Sequence, residues 1–341
     1  MTHPALDTRF TKRFQLTTPI ALAPMALATG GALAAACAQA GALGLVGGGY
    51  GDLTWTQREY TLAVELLKND ATSHARLGCG FITWKLDEND EALDWVLTQK
   101  PSAIMLSFGD PRPYEARIHA AGATLICQVQ RLDQVSQALE AGASVIVAQG
   151  GEAGGHGANA LEGRSTFTLV PEIADFLAEH SPDTLLLAAG GVADGRGLAA
   201  ALMLGADGAL IGSRLWATQE SLAAAGAKTQ ATQTTGDGTA RSEIFDILRR
   251  KNWPAPYDFR AIRNSLHREL ETDIAGLKAN PDAARATYDA GIKVGDFTCA
   301  HATVGEGVGL IADIPRAVDL IHSLSKQASH LLFRKASEGI I

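Results

Sequence analysis

The strongest constraint on the fold is an alternation of short apolar segments with longer amphipathic segments between residue 19 and about residue 217. The short segments have the length of buried strands, and the longer ones have the periodicity of surface helices. Eight such units predict an α/β fold, a closed (β/α)8 TIM barrel rather than an open doubly wound sheet. The predicted strands are residues 19–23, 43–46, 77–81, 103–107, 124–129, 145–149, 185–189 and 209–211.

Four predicted joins from helix to strand share an Ala/Leu-Gly-Ala step, with the glycine at Gly41, Gly122, Gly142 or Gly205. A glycine directly after a helix is typical of a left-handed cap, because the other residues adopt that backbone conformation at a cost. We therefore expect these four glycines to end helices and to play no part in chemistry.

The pattern changes after Trp216. Residues 219–238 are rich in Ala, Thr, Gln and Gly, and residues 243–251 and 258–271 read as charged amphipathic helices. The sequence predicts a barrel over residues 1–218 and a smaller, mostly helical cap over residues 219–310. The remaining residues, 311–341, are predicted to place a C-terminal helix back on the barrel, since residues 314–333 are apolar with helical periodicity.

Composition narrows the class of partner. With 341 residues, of which 46% are hydrophobic, the chain can bury a large core. A net charge of -8 without a basic stripe argues against nucleic acid and membrane surfaces as partners, and favours a small molecule. The four cysteines lie far apart, so they suggest neither a disulfide framework nor a metal site, and the cytoplasm is the expected location. The sequence leaves the assembly open, with a homodimer among the alternatives.

One feature favours a secretory signal instead. Arg9, Lys12 and Arg13 precede an apolar stretch and a run of small residues, in the order of a signal peptide. Pro19 and Pro24, however, interrupt the apolar helix that such a signal needs. Cleavage would also remove the first predicted strand and helix, so we expect the segment to belong to the barrel.

The segment AQGGEAGGHG, residues 148–157, places His156 among glycines directly after the sixth predicted strand. Active sites of barrels of this kind are built from the loops that follow the strands. A histidine there can take a proton from a carbon acid or, when charged, attract an anion. A solvated loop histidine is the alternative. Glu152 is expected to anchor its own loop.

Glycines also follow the seventh and eighth predicted strands, at Gly190 and Gly191 and at Gly212, which precedes Ser213. In (β/α)8 barrels these two loops commonly bind phosphate through backbone N–H groups. We therefore expect a phosphate site, with a hydroxyl donor from Ser213. Tight turns without a ligand are the alternative.

A mononucleotide bound there would extend over the barrel mouth toward Ala23, Pro24 and Met25 and past two strand-end glutamines, Gln128 and Gln149. The glutamine amides can hydrogen-bond a heterocycle or a ribityl chain, so flavin mononucleotide (FMN) fits the layout. The alternative is that both glutamines are satisfied by the protein. Residues 47–52, GGGYGD, lack the last glycine of the dinucleotide fingerprint, and no Walker sequence is present.

These motifs, in this order and spacing, resemble the nitronate monooxygenases, which are FMN-dependent (β/α)8 barrels. The similarity covers nearly the whole chain, from PIALAPM at residues 19–25 through AQGGEAGGHG to AAGGVADGRG at 188–197 and LIGSR at 210–214. The resemblance implies His156 as the catalytic residue. It also implies FMN contacts at Ala23, Met25, Gln149, Gly154, Gly191, Gly212 and Ser213. Many relatives carry an asparagine in the third strand, where this chain has LGCGF, and a backbone contact at Gly80 is expected to replace it.

The expected reaction is oxidation of an alkyl nitronate by FMN and dioxygen to a carbonyl compound and nitrite. The same motifs resemble flavin enoyl reductases and quinone reductases, so NAD(P)H-dependent reduction of an enoyl thioester or a quinone is the alternative. A flavin-storage protein is the third reading, and it leaves His156 without a task.

Overall fold

The computed structural model describes residues 5–337, so the outermost residues of the first and last predicted domains, 1–4 and 338–341, lie outside the described part. Eight parallel strands form one sheet in the order β1-β9-β8-β6-β5-β4-β3-β2, and the pairing of Ala21 with Leu43 closes it into a barrel. The strands are β1 (Ile20–Leu22), β2 (Gly44–Gly49), β3 (Leu77–Ile82), β4 (Ala103–Ser107), β5 (Thr124–Val129), β6 (Val145–Gln149), β8 (Leu185–Ala189) and β9 (Gly208–Ile211).

The predicted (β/α)8 barrel is confirmed. Strands β4, β5, β6 and β8 have the predicted bounds, and the other four differ by at most three residues at an end. The strands are buried on both faces, which is why they read as continuous apolar runs. The apolar part of the signal-like segment contains β1 and the barrel helix α2 (Gly31–Gln39).

Alternate residues of each strand pack into different layers. Met105 and Leu187 belong to a core inside the barrel, which Phe10 and Phe14 of the N-terminal helix extend. Their neighbours Leu106 and Ala188 belong to a second core between the sheet and the surrounding helices. This side-chain alternation of period two fixes the register of the strands.

The barrel helices lie between the strands and cover the outside of the sheet. The predicted capping glycines Gly41, Gly122, Gly142 and Gly205 all have positive φ, between +68° and +97°, which confirms their role. The helices are α1 (Arg9–Phe14), α2 (Gly31–Gln39), α3 (Leu53–Leu67), α4 (Ala71–His74), α5 (Thr83–Leu86), α6 (Glu91–Thr98), α7 (Glu115–Ala120), α8 (Asp133–Glu140), α9 (Thr166–His180), α10 (Gly195–Met203) and α11 (Ser213–Trp216), with a 3-10 helix at Arg112–Tyr114.

The cap follows α11 and contains five short helices and a small sheet. The C-terminal helix α17 packs back on the barrel through residues such as Ile321 and Leu324. The cap helices are α12 (Ala225–Ala231), α13 (Ile244–Leu248), α14 (Ser265–Leu270), α15 (Ile274–Ala279) and α16 (Asp282–Val294), with 3-10 helices at Gly236–Gly238 and Glu306–Leu310, and α17 is Ala317–Ser337.

The prediction of one helix over residues 258–271 is wrong. Residues Tyr257–Ile262 form strand β11, and the helix α14 begins only at Ser265. Strand β11 pairs antiparallel with β10 (Thr239–Ser242) and with β7 (Gly155–Ala158), which is the end of the glycine-histidine loop. This tertiary pairing overrides the helical pattern of the charged residues. It also ties the cap to the barrel mouth at His156, which lies opposite Phe259.

No helix among residues 5–337 is both long and apolar enough to cross a membrane.

Candidate active site

The loops at the carboxyl ends of the barrel strands and the inner side of the cap enclose a cavity of about 710 Å³. Its position is the one where barrels of this kind carry their active sites. Almost all of the residues predicted from the sequence line it, namely Ala23, Pro24, Met25, Gln128, Gln149, Gly154, His156, Gly190, Gly191, Gly212 and Ser213.

Gly80 is the exception, because it does not line the cavity and lies buried behind Pro24. A Cβ at Gly80 would stand 2.3 Å from Cγ of Pro24 and 3.4 Å from Cβ of Met105. The glycine therefore lets the Ala23-Pro24-Met25 segment pack closely on the third strand. The structure gives Gly80 this packing role and does not bring it to the predicted cofactor contact.

Gly191 after β8 and Gly212 after β9 leave open space at one end of the cavity. Gly190 and Gly191 have φ of +102° and +74°, and the nearest atom to a Cβ at Gly191 would be 3.7 Å away. A Cβ at Gly212 would likewise have Ala23 and Met25 at 3.7 Å. A ligand can therefore approach these backbones closely.

The Ser213 hydroxyl has a protein partner that the sequence did not indicate. Its oxygen accepts a hydrogen bond from the backbone N–H of Gly305 at 2.8 Å, so Ser213 joins the barrel to the cap. The hydroxyl proton remains available for donation to a ligand. The nearby helix α10 has its first N–H groups capped by Asp194, which accepts from Arg196 and Gly197.

The two predicted glutamines form a network with a third, Gln130. The side-chain oxygen of Gln149 accepts from Nε2 of Gln128 at 3.2 Å and from Nε2 of Gln130 at 2.9 Å. Its Nε2 donates to the backbone carbonyl of His156 at 3.0 Å. Buried Gln149 is thus engaged by the protein, as the alternative reading expected, and it fixes the backbone of the histidine loop. Gln128 is only half-buried and keeps a face on the cavity.

Close packing explains Gly154 in the loop that carries His156. A Cβ at Gly154 would stand 2.4–2.5 Å from backbone atoms of Val304 and Gly305 of the cap. Glu152 anchors this loop as expected, because its carboxylate accepts hydrogen bonds from the N–H and hydroxyl of Thr166. The loop therefore carries β7 up to the cap sheet while its backbone stays against the cavity.

His156 is held by two aromatic rings and at one nitrogen. Its ring stacks on Trp253 with centroids 3.4 Å apart and an interplanar angle of 12°, and the Phe259 ring lies 4.8 Å away. Nε2 lies 2.9 and 3.0 Å from the carboxylate oxygens of Asp246. The side chains of His156 and Asp246 are 8% and 7% exposed. Because a carboxylate only accepts hydrogen bonds, Nε2 carries the proton and Nδ1 keeps a lone pair.

Burial determines the charge of His156. It lowers the pKa of His156 to about 4, although the hydrogen bond that His156 donates to Asp246 acts in the opposite direction, and the positive charges of Arg249 and Arg241 lower the pKa further. The imidazole is therefore neutral near pH 7. In this state it can accept a proton at Nδ1.

A second histidine, His301, also lines the cavity, from the side of the cap. Its Nδ1 lies 2.7 Å from the hydroxyl of Tyr288 on α16. Burial lowers the pKa of His301 to about 3 and raises that of Tyr288 to about 12. Tyr288 therefore donates to a neutral His301, which leaves the Nε2 proton of that ring for other acceptors.

Asp246, Arg249, Tyr288 and His301 were missed from the sequence. They lie about 90 to 145 positions beyond His156 and reach it because β11 pairs with β7. The sequence did not indicate this proximity, because β11 was predicted to be part of a helix. Of three aromatic residues in the cap, Trp253 and Phe259 line the cavity, whereas Tyr257 packs behind Trp253 at 6.1 Å between ring centroids.

Residues 5–337 contain no group of His, Cys, Asp and Glu side chains that could hold a metal ion.

The chain is similar in sequence to proteins of one family. Residues 56–327 match the sequence model of the family described as nitronate monooxygenase. Nitronate monooxygenase npaC of Metarhizium robertsii is 32% identical over 91% of this chain and 90% of its own length. A nitronate monooxygenase of Neurospora crassa is 30% identical over 90% and 88%, respectively.

Solved structures share the fold. The structure of FabK from Thermotoga maritima aligns with a TM-score of 0.80 at 24% identity, over 98% of this chain and 99% of that one. A nitroalkane oxidase from Streptomyces ansochromogenes aligns with a TM-score of 0.79 at 24% identity, over 96% and 99%. At this identity the likeness concerns the (β/α)8 architecture.

Proposed function

Because this chain belongs to the nitronate monooxygenase family, we propose that it uses FMN and dioxygen to oxidise alkyl nitronates to carbonyl compounds and nitrite. The observation that carries the proposal is that His156, which lines the cavity, forms a buried pair with Asp246. Atoms and charge balance when two nitronates and one dioxygen give two carbonyl compounds and two nitrite ions.

The cavity suits FMN. Open backbone at Gly191 and Gly212 accepts a phosphate, and the amide of Gln128 faces the space that a ring system would fill. The hydroxyl of Ser213 and the segment from Ala23 to Met25 complete the candidate cofactor contacts. When bound, the flavin supplies the electron chemistry, and the protein supplies orientation and an electrostatic setting.

His156 is proposed to act as a base at Nδ1 when the substrate arrives as a neutral nitroalkane. The α-proton moves to Nδ1, while the Nε2 proton stays in the hydrogen bond to Asp246. The carboxylate orients the ring and stabilises the imidazolium that forms. A nitronate has already lost this proton, so it needs binding but no base.

Trp253 and Phe259 are proposed to keep water away from the reacting groups. Both rings pack on His156, and Trp253 is itself held by the Tyr50 hydroxyl, which accepts from its indole N–H at 3.1 Å. A dry site strengthens the interaction between imidazolium and carboxylate.

Oxygen uptake tests the proposal. Purified FMN-loaded protein should consume dioxygen and release nitrite when given ethyl or propyl nitronate, and a His156→Asn variant that retains FMN should lose most of its turnover of neutral nitroalkanes. Absence of oxygen uptake with a series of alkyl nitronates would refute the proposed function.

A further inference from the structure

Arg249 lies next to the proposed catalytic pair. It lines the cavity from the cap, its guanidinium carbon stands 4.5 Å from the centroid of the Phe259 ring, and its Nη1 is 3.7 Å from Oδ1 of Asp246. Its side chain is 15% exposed. The residues that hold His156 in place therefore also hold Arg249.

The guanidinium of Arg249 is poorly satisfied by the protein. Within residues 5–337, its one hydrogen bond runs from Nη2 to the hydroxyl of Tyr50 and is long, at 3.4 Å. Nη1 is buried and has no hydrogen-bond partner there. Charge-assisted hydrogen bonds normally measure about 2.7–2.9 Å. The ion pair with Asp246 supplies no such bond, because Oδ1 of that carboxylate lies 3.7 Å from Nη1, whereas the carboxylate accepts the Nε2 proton of His156 at 2.9 Å.

Two neighbouring arginines have close acceptors for their terminal nitrogens, although the buried Nε of Arg241 has none among the described residues. Arg250 pairs with Asp289 at 2.8 Å and is 53% exposed. Arg241 is buried, but it bonds the side chain and carbonyl of Asp258 and the carbonyl of Ala153. Among these three arginines, Arg249 is the one that combines burial in the cavity wall with a lack of close acceptors. A buried cation without acceptors is costly, and an anionic ligand removes that cost.

The histidines of the cavity do not supply the charge for an anion. Burial lowers the pKa of His301 to about 3, and the positive charge of Arg249 acts in the same direction. His156 is neutral near pH 7 for the same reasons. The positive charge that acts on both rings is that of the Arg249 guanidinium.

We propose that Arg249 is a specificity-determining residue that binds the negatively charged oxygens of the substrate and so selects a nitronate over the neutral nitroalkane. A nitronate carries its charge on two oxygens of one planar group, which the fork of N–H donors in a guanidinium matches. The chemical identity of the substrate rests on the proposed function. The anion site itself does not.

Binding of nitrate tests the site without turnover. Nitrate is a planar anion that offers two oxygens in the same spacing as a nitronate but is not oxidised. Its binding to the FMN-loaded protein is measured by isothermal titration calorimetry for four proteins: wild type, Arg249→Met, Arg249→Lys and Arg250→Met. Methionine keeps most of the apolar stem over Phe259, and Arg250→Met makes the same change at the next residue.

We expect Arg249→Met to weaken nitrate binding by about 10- to 100-fold, the range for loss of a hydrogen bond to a charged group. Arg249→Lys should fall between it and wild type, and Arg250→Met should stay within about twofold of wild type. Equal affinity of wild type and Arg249→Met overturns the proposal, as does an equal loss at Arg250. If Arg249→Met does not fold, Arg249→Lys decides, and wild-type affinity there refutes recognition by the fork.

The preference for the anionic over the neutral substrate in turnover is a second test of the proposal. Arg249→Met should lower the ratio of kcat/KM for propyl nitronate to kcat/KM for 1-nitropropane, because only the first substrate is an anion. An unchanged ratio contradicts the proposal. A wild-type protein that binds nitrate through Arg249 but turns over neither substrate would retain the anion site and refute the proposed function.

Discussion

Replacement of Asp246 by Asn tests the role of the buried pair. Asparagine keeps the shape of the side chain but removes the negative charge that lies 2.9 Å from Nε2 of His156. Both partners are less than 10% exposed, so solvent screens the interaction little. A hydrogen bond to a charged group contributes roughly 1.5–3 kcal/mol. At about 1.4 kcal/mol per factor of ten, Asp246→Asn should lower kcat/KM for 1-nitropropane by about 10- to 100-fold.

The pH dependence of kcat/KM should also change in Asp246→Asn. Burial is the main cause of the low pKa of His156, and Asp246 opposes it, so Asp246→Asn should lower the pKa further below about 4. A base acts in its neutral form, so kcat/KM for 1-nitropropane should rise with pH through this pKa. The rise should move to lower pH in the variant, and the plateau should fall because the base is weaker.

The assay compares two substrates and two variants. Stopped-flow reduction of the flavin is followed with 1-nitropropane, which must lose a proton, and with propyl nitronate, which has lost it. Asp289→Asn is the matched control, since Asp289 is an exposed cap carboxylate paired with Arg250. An equal loss with both substrates, or a loss in Asp289→Asn of the same size, would refute a role for Asp246 in proton transfer.

Three further predictions concern the cofactor, the packing and the stability. Gly212→Ala should fold normally, since its Cβ would have its nearest neighbours at 3.7 Å. It should nevertheless weaken FMN binding more than Ser213→Ala, which removes one hydroxyl donor. Titration of FMN fluorescence measures the two affinities, and equal affinities would mean that the phosphate binds elsewhere. Trp253→Ala should raise the pKa of His156, because burial is the largest cause of its low value. The low-pH limb of the kcat/KM profile should then move to higher pH, and an unmoved limb would exclude shielding of His156 by Trp253. His156 and His301 are buried as neutral groups with pKa values of about 4 and 3, so the unfolded chain binds more protons than the folded one below about pH 6.5. The free energy of unfolding should therefore fall by up to about 1.4 kcal/mol per histidine for each pH unit, down to about pH 4. Urea unfolding of wild type and His301→Gln at pH 7 and pH 5 measures this, and an identical pH dependence in both would contradict it.

Much of the barrel could be predicted because each unit satisfies local rules. The strands are buried on both faces and so read as apolar runs, and Gly41, Gly122, Gly142 and Gly205 mark the ends of helices by their backbone conformation. Residues on the loops after the strands follow from barrel geometry, which brings Gly191, Gly212 and His156 to one cavity.

The cap could not be predicted in the same way. Residues 258–271 read as one charged helix when taken together, whereas the strand conformation of Tyr257–Ile262 depends on pairing with β7 and β10. Asp246 and Arg249 come to His156 through that pairing, so no spacing in the sequence indicates them. Gly80 shows the opposite case, where a glycine in a plausible motif serves packing against Pro24.

Anaerobic reduction of the flavin tests most directly whether a flavin bound in this cavity accepts electrons from a nitronate. FMN-loaded protein is mixed without oxygen with propyl nitronate, NADH or NADPH, and the flavin absorbance is followed. We expect rapid bleaching by propyl nitronate, and none by either nicotinamide on that timescale. Rapid bleaching by NADH or NADPH, with no response to the nitronate, would contradict it and identify a reductase.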